Sequence, residues 1–172
     1  MILDLSHNKI SDNGTSKLCQ ILGDENCKIR HLDLSNNHIN VSGAQSIGKL
    51  LQKSRLETIN LRLNYINEGA KHIFEGMIKN TSLSKINLSG NFLENSSVQS
   101  LLDLVRQNRT IIELDLTCNP NLTEQALSPI VNVLSLQNSI QVLSLQKCGV
   151  SQEFLVSVTD AIRKKHSDTT VL

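Results

Sequence analysis

Asp4, Asp33 and Asp115 fall at one place in three similar phrases of this chain, and Asn60, Asn87 and Ser144 fill that place in three others. Carboxylates set side by side can divide the work of an acid and a base. An open polar column excludes no water and lacks a fixed supporting shell, so it reads as a solvated face. The histidines are His7, His31, His38, His72 and His166. His7 and His38 lie near one rim in different columns with no third ligand beside them, which is too few for a metal site. Cys19, Cys27, Cys118 and Cys148 form no C-x-x-C and suit neither zinc nor a disulfide framework, and so read as reduced thiols in a cytoplasmic protein. The eight glycines are scattered and build no phosphate loop; Gly14, Gly43 and Gly69 recur where strand passes into helix, which reads as backbone clearance at a turn. The run Arg163-Lys164-Lys165-His166 closes a helix, where cations complement the dipole. Lys+Arg 17 against Asp+Glu 16 leaves no basic surplus for nucleic acid. No apolar run approaches the roughly 18 residues of a membrane span. The expectation is a chain with no catalytic residue, cofactor or metal, and with neither nucleic acid nor membrane as partner.

The elements that carry these residues repeat. The phrase "LDLSHNKI" at Leu3–Ile10 returns as "LDLSNNHI" at Leu32–Ile39, "INLRLNYI" at Ile59–Ile66, "INLSGNFL" at Ile86–Leu93 and "LDLTCNPNL" at Leu114–Leu122. The first apolar residues, Leu3, Leu32, Ile59, Ile86, Leu114 and Leu143, are spaced by 29, 27, 27, 28 and 29. A fixed period of that length is the mark of a solenoid. Within each phrase apolar residues alternate, as in a strand. After it the step lengthens to three and four, as at Ala70, Ile73, Phe74, Met77 and Ile78 and at Leu127, Ile130, Val131 and Leu134, which predicts one amphipathic helix per unit. Ile29, Leu56, Leu83, Ile111 and Ile140, each three places before a strand, anchor the return. Aromatic content of only 2% fits a core of many thin aliphatic layers. Strands stack about 4.8 Å apart whereas helices need about 8–10 Å. The predicted fold is therefore an α/β horseshoe arc of six strand–helix repeats, about 3–31, 32–58, 59–85, 86–113, 114–142 and 143–172, with a parallel sheet on the concave face and helices on the convex face.

Asn8, Asn37, Asn64, Asn91 and Asn119 close the phrases, with Cys148 in the sixth. There the backbone leaves the sheet, and an unpaired buried polar group costs about 1–3 kcal/mol. A carboxamide both donates and accepts, so a stacked column can bridge successive turns. The expected role of this ladder is structural. Several Asn-x-Ser/Thr triplets, among them Asn13-Gly-Thr15, Asn40-Val-Ser42, Asn80-Thr-Ser82 and Asn87-Leu-Ser89, read as chance in a chain rich in Asn and Ser.

The pattern L-x-L-x-x-N-x-I/L followed by a helix resembles the leucine-rich repeat family, in its ribonuclease-inhibitor-like subclass. The stretch "INLRLNYINEGAKHI" at residues 59–73 is similar to the leucine-rich subunit of the axonemal dynein regulatory complex, the T-complex-associated testis-expressed family. That resemblance implies a non-catalytic protein–protein interaction scaffold in the cytoplasm, in a cytoskeletal or ciliary assembly. Two alternatives come from other members of the repeat class: a regulator of a small GTPase like the Ran GTPase-activating proteins, and a ligand-sensing repeat segment of an NLR-type immune receptor.

The expected partner site follows from the column after the ladder, which reads Lys9, His38, Tyr65, Phe92, Pro120 and Gly149. Tyr65 and Phe92 are two of the four aromatic residues, and Leu63 and Arg62 stand beside them. Aromatic and aliphatic groups next to an arginine form the composition of a binding hot spot; the competing expectation is that both rings fold back over the turns as core. The chain is also expected to be a segment of a longer array. Leu3-Asp-Leu5 begins without a capping element, and Thr169-Thr170-Val171 places Val171 on the anchor position before a seventh phrase. Alone, such a segment is expected to self-associate.

Overall fold

The computed structural model describes residues 1–136 and 139–167, with side chains through Lys164. The calls on Lys165, His166 and Thr169-Thr170-Val171 lie outside the described side chains and residues.

Alternation of apolar residues produces six three-residue strands: β1 (Ile2–Asp4), β2 (His31–Asp33), β3 (Thr58–Asn60), β4 (Lys85–Asn87), β5 (Glu113–Asp115) and β6 (Val142–Ser144). They form one open parallel sheet in chain order. The register carries no stagger: Leu3, Leu32, Ile59, Ile86, Leu114 and Leu143 pair one with the next across the sheet. Identical columns follow, and each buried column forms one layer of the core.

Between the strands run α1 (Ser11–Leu22), α2 (Val41–Leu51), α3 (Ala70–Met77), α4 (Val98–Gln107), α5 (Glu124–Leu127) and α6 (Pro129–Ser135), with α7 (Gln152–Ser167) after β6. Short 3-10 turns, Asn67–Gly69 and Asn95–Ser97, lead into α3 and α4. The stripe Ala70, Ile73, Phe74 and Met77 is buried, as are Leu127, Ile130 and Leu134, while Ile78 and Val131 are partly buried against the core. The fifth unit departs from the expectation of one continuous helix: α5 ends at Leu127 and α6 restarts with Pro129 at its first position. Proline has no N–H to continue the preceding turn, and it starts a helix well. Leu56, Leu83, Ile111 and Ile140 are buried return anchors, and Ile29 is half-buried.

Two features tie the helical layer together. The side chain of Asp12 in α1 accepts the N–H groups of Asn40 (2.7 Å) and Gly43 (3.0 Å), so one helix caps the start of the next. Glu124 does the same for Ser151 ahead of α7, at 2.8 Å. Carboxylates at helix starts satisfy orphan donors and meet the positive end of the dipole. Second, a Cβ on Gly48 would collide with the carbonyl of His72, and one on Gly76 with the carbonyl of Gly48, so α2 and α3 touch backbone to backbone. Gly14, Gly43 and Gly69 lie within helical first turns rather than at left-handed turn positions. Their missing Cβ makes room for Ile10, for Asp12 and Ile39, and for Ala44 and Val41 respectively.

Candidate interaction surface

The strand ends carry the surface residues, and the asparagine column shapes them. Asn37, Asn64, Asn91 and Asn119 are buried, and each Nδ2 reaches back to a carbonyl of the preceding unit: Leu5 (2.8 Å), Leu34 (3.0 Å), Leu61 (2.8 Å) and Leu88 (3.1 Å). Cys148 completes the column with Sγ donating to Leu116 O at 3.2 Å. Asn8 is exposed and donates within its own turn, to Leu5 O and Ser6 O. Burial raises the Cys148 thiol above its ordinary value, which keeps it a protonated donor.

The turns that follow alternate in type. After β2 and β4 the residue next to the asparagine is left-handed, His38 at φ 58 and Phe92 at φ 56. This aims two N–H groups at the next asparagine: Asn37 and Ile39 both donate to Asn64 Oδ1 at 3.0 Å, and Asn91 and Leu93 both donate to Asn119 Oδ1 at 3.0 Å. After β1 and β3 the left-handed residue comes two places later, Ser11 at φ 55 and Asn67 at φ 50. Their N–H groups bond the backbone oxygens of Asn37 and Asn91 instead, at 3.0 Å each. Asn37 Oδ1 then receives one long bond from Ile10 (3.3 Å), and Asn91 Oδ1, though buried, receives none.

One column is left-handed in every unit: His7, Asn36, Leu63, Gly90, Cys118 and Lys147, with φ between 53 and 64. Only Gly90 adopts this conformation without a side-chain penalty, which for other residues is about 1–2 kcal/mol. The site lies here. A Cβ on Gly90 would stand 2.9 Å from Leu63 Cδ2, so Leu63 lies across the glycine. Leu63, Tyr65 and Phe92 are 46%, 46% and 49% exposed. The Tyr65 and Phe92 rings stack in parallel, 6.1 Å between centroids and 3° between planes, and His38 meets Tyr65 edge-on at 5.9 Å. A recess of about 200 Å³ is lined by Arg62, Leu63, Gly90, Asp115 and Cys118 among others. Among the described residues Arg62 has no ion-pair partner.

The aspartate column is occupied by local bonding. Asp4, Asp33 and Asp115 accept the N–H two residues on, from Ser6, Ser35 and Thr117, at 2.8–2.9 Å. Asn60 and Asn87 donate sideways to Asp33 and Asp115. These bonds hold the Asp4 carboxyl below its ordinary value, the Ser6 backbone N–H contributing most. His7 Nδ1 lies 3.0 Å from Asn36 Nδ2, and His31 Nδ1 lies 3.0 Å from Thr58 Oγ1. Among the described residues no group of three His, Cys, Asp or Glu side chains could hold a metal, and no helix is long and apolar enough to cross a membrane. All four cysteines are free thiols, and burial pushes Cys19 up to about 12.

A second asparagine column went unread in the sequence. At the return loops, Asn80 Nδ2 donates to Leu51 O (2.6 Å) and Asn108 Nδ2 to Met77 O (2.8 Å) and Asn80 O (2.9 Å). Their Oδ1 atoms receive Ser82 and Leu83, and Thr110 and Ile111, at 2.7–2.9 Å. The readable signal was N-x-S/T followed by Leu or Ile, which made Asn80-Thr-Ser82 look like an accidental glycosylation triplet.

Comparison with known proteins agrees with this geometry. The family model described as "Leucine Rich repeat" matches residues 1–19 and 25–48. Mouse ribonuclease inhibitor is 25% identical over 169 residues, covering 96% of this chain and 37% of that protein. The chain belongs to the leucine-rich repeat proteins of the ribonuclease-inhibitor-like subclass. The repeat region of human NACHT, LRR and PYD domains-containing protein 5 is 26% identical over 149 residues, covering 84% of this chain. The chain spans only 12% of that relative's length. The solved leiomodin-1 actin-binding site 2 superposes with a TM-score of 0.76 at 12% identity, over 89% of this leucine-rich repeat chain and 90% of that one. This last likeness is one of fold.

Proposed function

We propose that this leucine-rich repeat array is a non-catalytic scaffold that holds a protein partner through Arg62, Leu63, Tyr65 and Phe92. The observation that carries the reading is that Leu63 and Phe92 are bulky, half-exposed and left-handed at once. The left-handed backbone itself serves the turns, but a glycine would serve there without penalty, and bulky apolar side chains displayed on it add nothing to the packing. The stacked rings supply a rigid apolar anchor, and Arg62 supplies a cation at its edge. The strand aspartates are tied into turn bonds and Glu113 is paired with Lys85, which supports a binding rather than an acid–base role for the sheet.

The test is the double variant Tyr65→Ala, Phe92→Ala, with binding and melting temperature measured together. Partner capture should fall at least tenfold while the melting temperature moves little, because removing exposed side chains opens no cavity. A large loss of stability would mean that the rings are core. Three purified probes sort the partner class: actin, a small GTPase in a hydrolysis assay, and axonemal fractions for the ciliary assignment suggested by residues 59–73. Stoichiometric acceleration of GTP hydrolysis would replace the scaffold reading with the regulator reading. The second reading, a sensing segment of an NLR-type receptor, is supported by the likeness to NACHT, LRR and PYD domains-containing proteins over 84% and 86% of the chain. It predicts that the array binds a NACHT module supplied in trans.

A further inference from the structure

The second asparagine column does not reach back to the loop before Asn80. Lys53 stands where Asn80 and Asn108 stand in the two following units, and the loop makes the same turn there. Lys53 N–H bonds Leu50 O at 3.1 Å, as Asn80 N–H bonds Met77 O at 3.0 Å. In the later units the asparagine oxygen receives the N–H groups two and three residues on. In this unit those groups belong to Arg55 and Leu56, and neither has a hydrogen-bond partner among the described residues. The Ser54 hydroxyl beside them is buried and also unpartnered. Lys53, Ser54, Arg55 and Leu56 are among the residues lining a cavity of about 400 Å³, and neither Lys53 nor Arg55 forms an ion pair among the described residues.

We propose that the Lys53–Leu56 loop is an oxyanion-binding site. Two adjacent backbone N–H groups, a hydroxyl, an ammonium and a guanidinium lie along this one loop as donors, and the ligand that satisfies donors alone is a carboxylate or phosphate oxygen. The anion takes the place that a carboxamide oxygen occupies in the next two loops, which sets the scale of the seat. Asp24 and Glu25 also line the cavity. Asp24 is turned to its own loop, accepting Asn26 N–H at 2.7 Å, and Glu25 is solvent-exposed. The site lies on the return side, at the opposite end of the strands from the aromatic rim, so it stands or falls independently of the proposed partner site.

The test titrates the ¹⁵N-labelled protein with sodium phosphate and sodium acetate, against sodium chloride at equal ionic strength. The Arg55 and Leu56 amide resonances should shift saturably with phosphate or acetate and not with chloride. Tighter phosphate points to a phosphorylated ligand, and tighter acetate to a carboxylate. Lys53→Asn, which restores the ladder with an internal oxygen, should abolish the response with the fold intact. Arg55→Ala, an exposed change, should weaken it about fivefold. Shifts that follow ionic strength alone, or that persist in Lys53→Asn, would overturn the proposal.

Discussion

The turns after β2 and β4 and those after β1 and β3 start from the same asparagine position, buried in all but the first unit, and reach the next helix by different routes. The first pair reverses at once, through His38 or Phe92, and gives the next asparagine oxygen two N–H bonds. The second pair reverses two residues later and leaves the next asparagine oxygen with one long bond or none. One residue type at one position therefore does unequal work in alternate units. Over the first four units the structural period is two repeats, although the written period is one.

The largest expected effect lies where the two kinds of unit meet in the helical layer. Gly76→Ala drives a methyl into the carbonyl of Gly48, so α2 and α3 must separate. Overpacking against backbone should cost about 3 kcal/mol in chemical denaturation; a loss below 1 kcal/mol would show that the close contact does not join the units. Next comes the asparagine pair itself. Asn64→Ala removes an oxygen that receives two buried N–H groups, whereas the Asn91 oxygen receives none. Asn64→Ala should therefore be the more destabilising of the two by about 1–2 kcal/mol. Equal losses would erase the alternation.

A smaller difference separates Tyr65 from Phe92. Phe92 is left-handed and Tyr65 is not, so glycine relieves strain at the first and only adds chain entropy at the second. Phe92→Gly should be less destabilising than Tyr65→Gly by about 1 kcal/mol, read from paired melting curves. The smallest effect is acidic. The Ser151 hydrogen bonds hold the Glu124 carboxyl below its ordinary value of 4.5, the side-chain bond contributing most. A lowered folded value means stability that is full above pH 4.5 and lost as pH falls through the folded value. Amide exchange at the start of α7 should quicken in acid, and Glu124→Gln should remove that dependence.

What the sequence showed and what it hid follow from the same cause. Apolar identity repeats because each unit fills one layer of a common core, so the six strands, their order and the buried stripes could be read from spacing. Backbone handedness leaves little trace in side-chain type. Nothing about Phe92 or Leu63 announces φ above 50, although His7, Asn36, His38 and Asn67 belong to types enriched in that conformation. The return-loop column was hidden for another reason: among the described residues it occupies two consecutive loops, and the loop before them carries Lys53, so no period is visible. Pro129 was legible as a residue, but the apolar stripe around it continues in phase, and the break in α5 and α6 lies in the backbone alone.

The unstaggered sheet has a mechanical consequence. Its inter-strand hydrogen bonds run along the axis of the array, so tension applied between the two ends would load the strand pairs in series. Such a sheet yields by peeling one unit at a time. Each release of a 27- to 29-residue unit would lengthen the chain by roughly 95 Å when extended. A protein of this kind gives way in steps under load, and the stretch held by the Gly48–Gly76 contact should be the last to go.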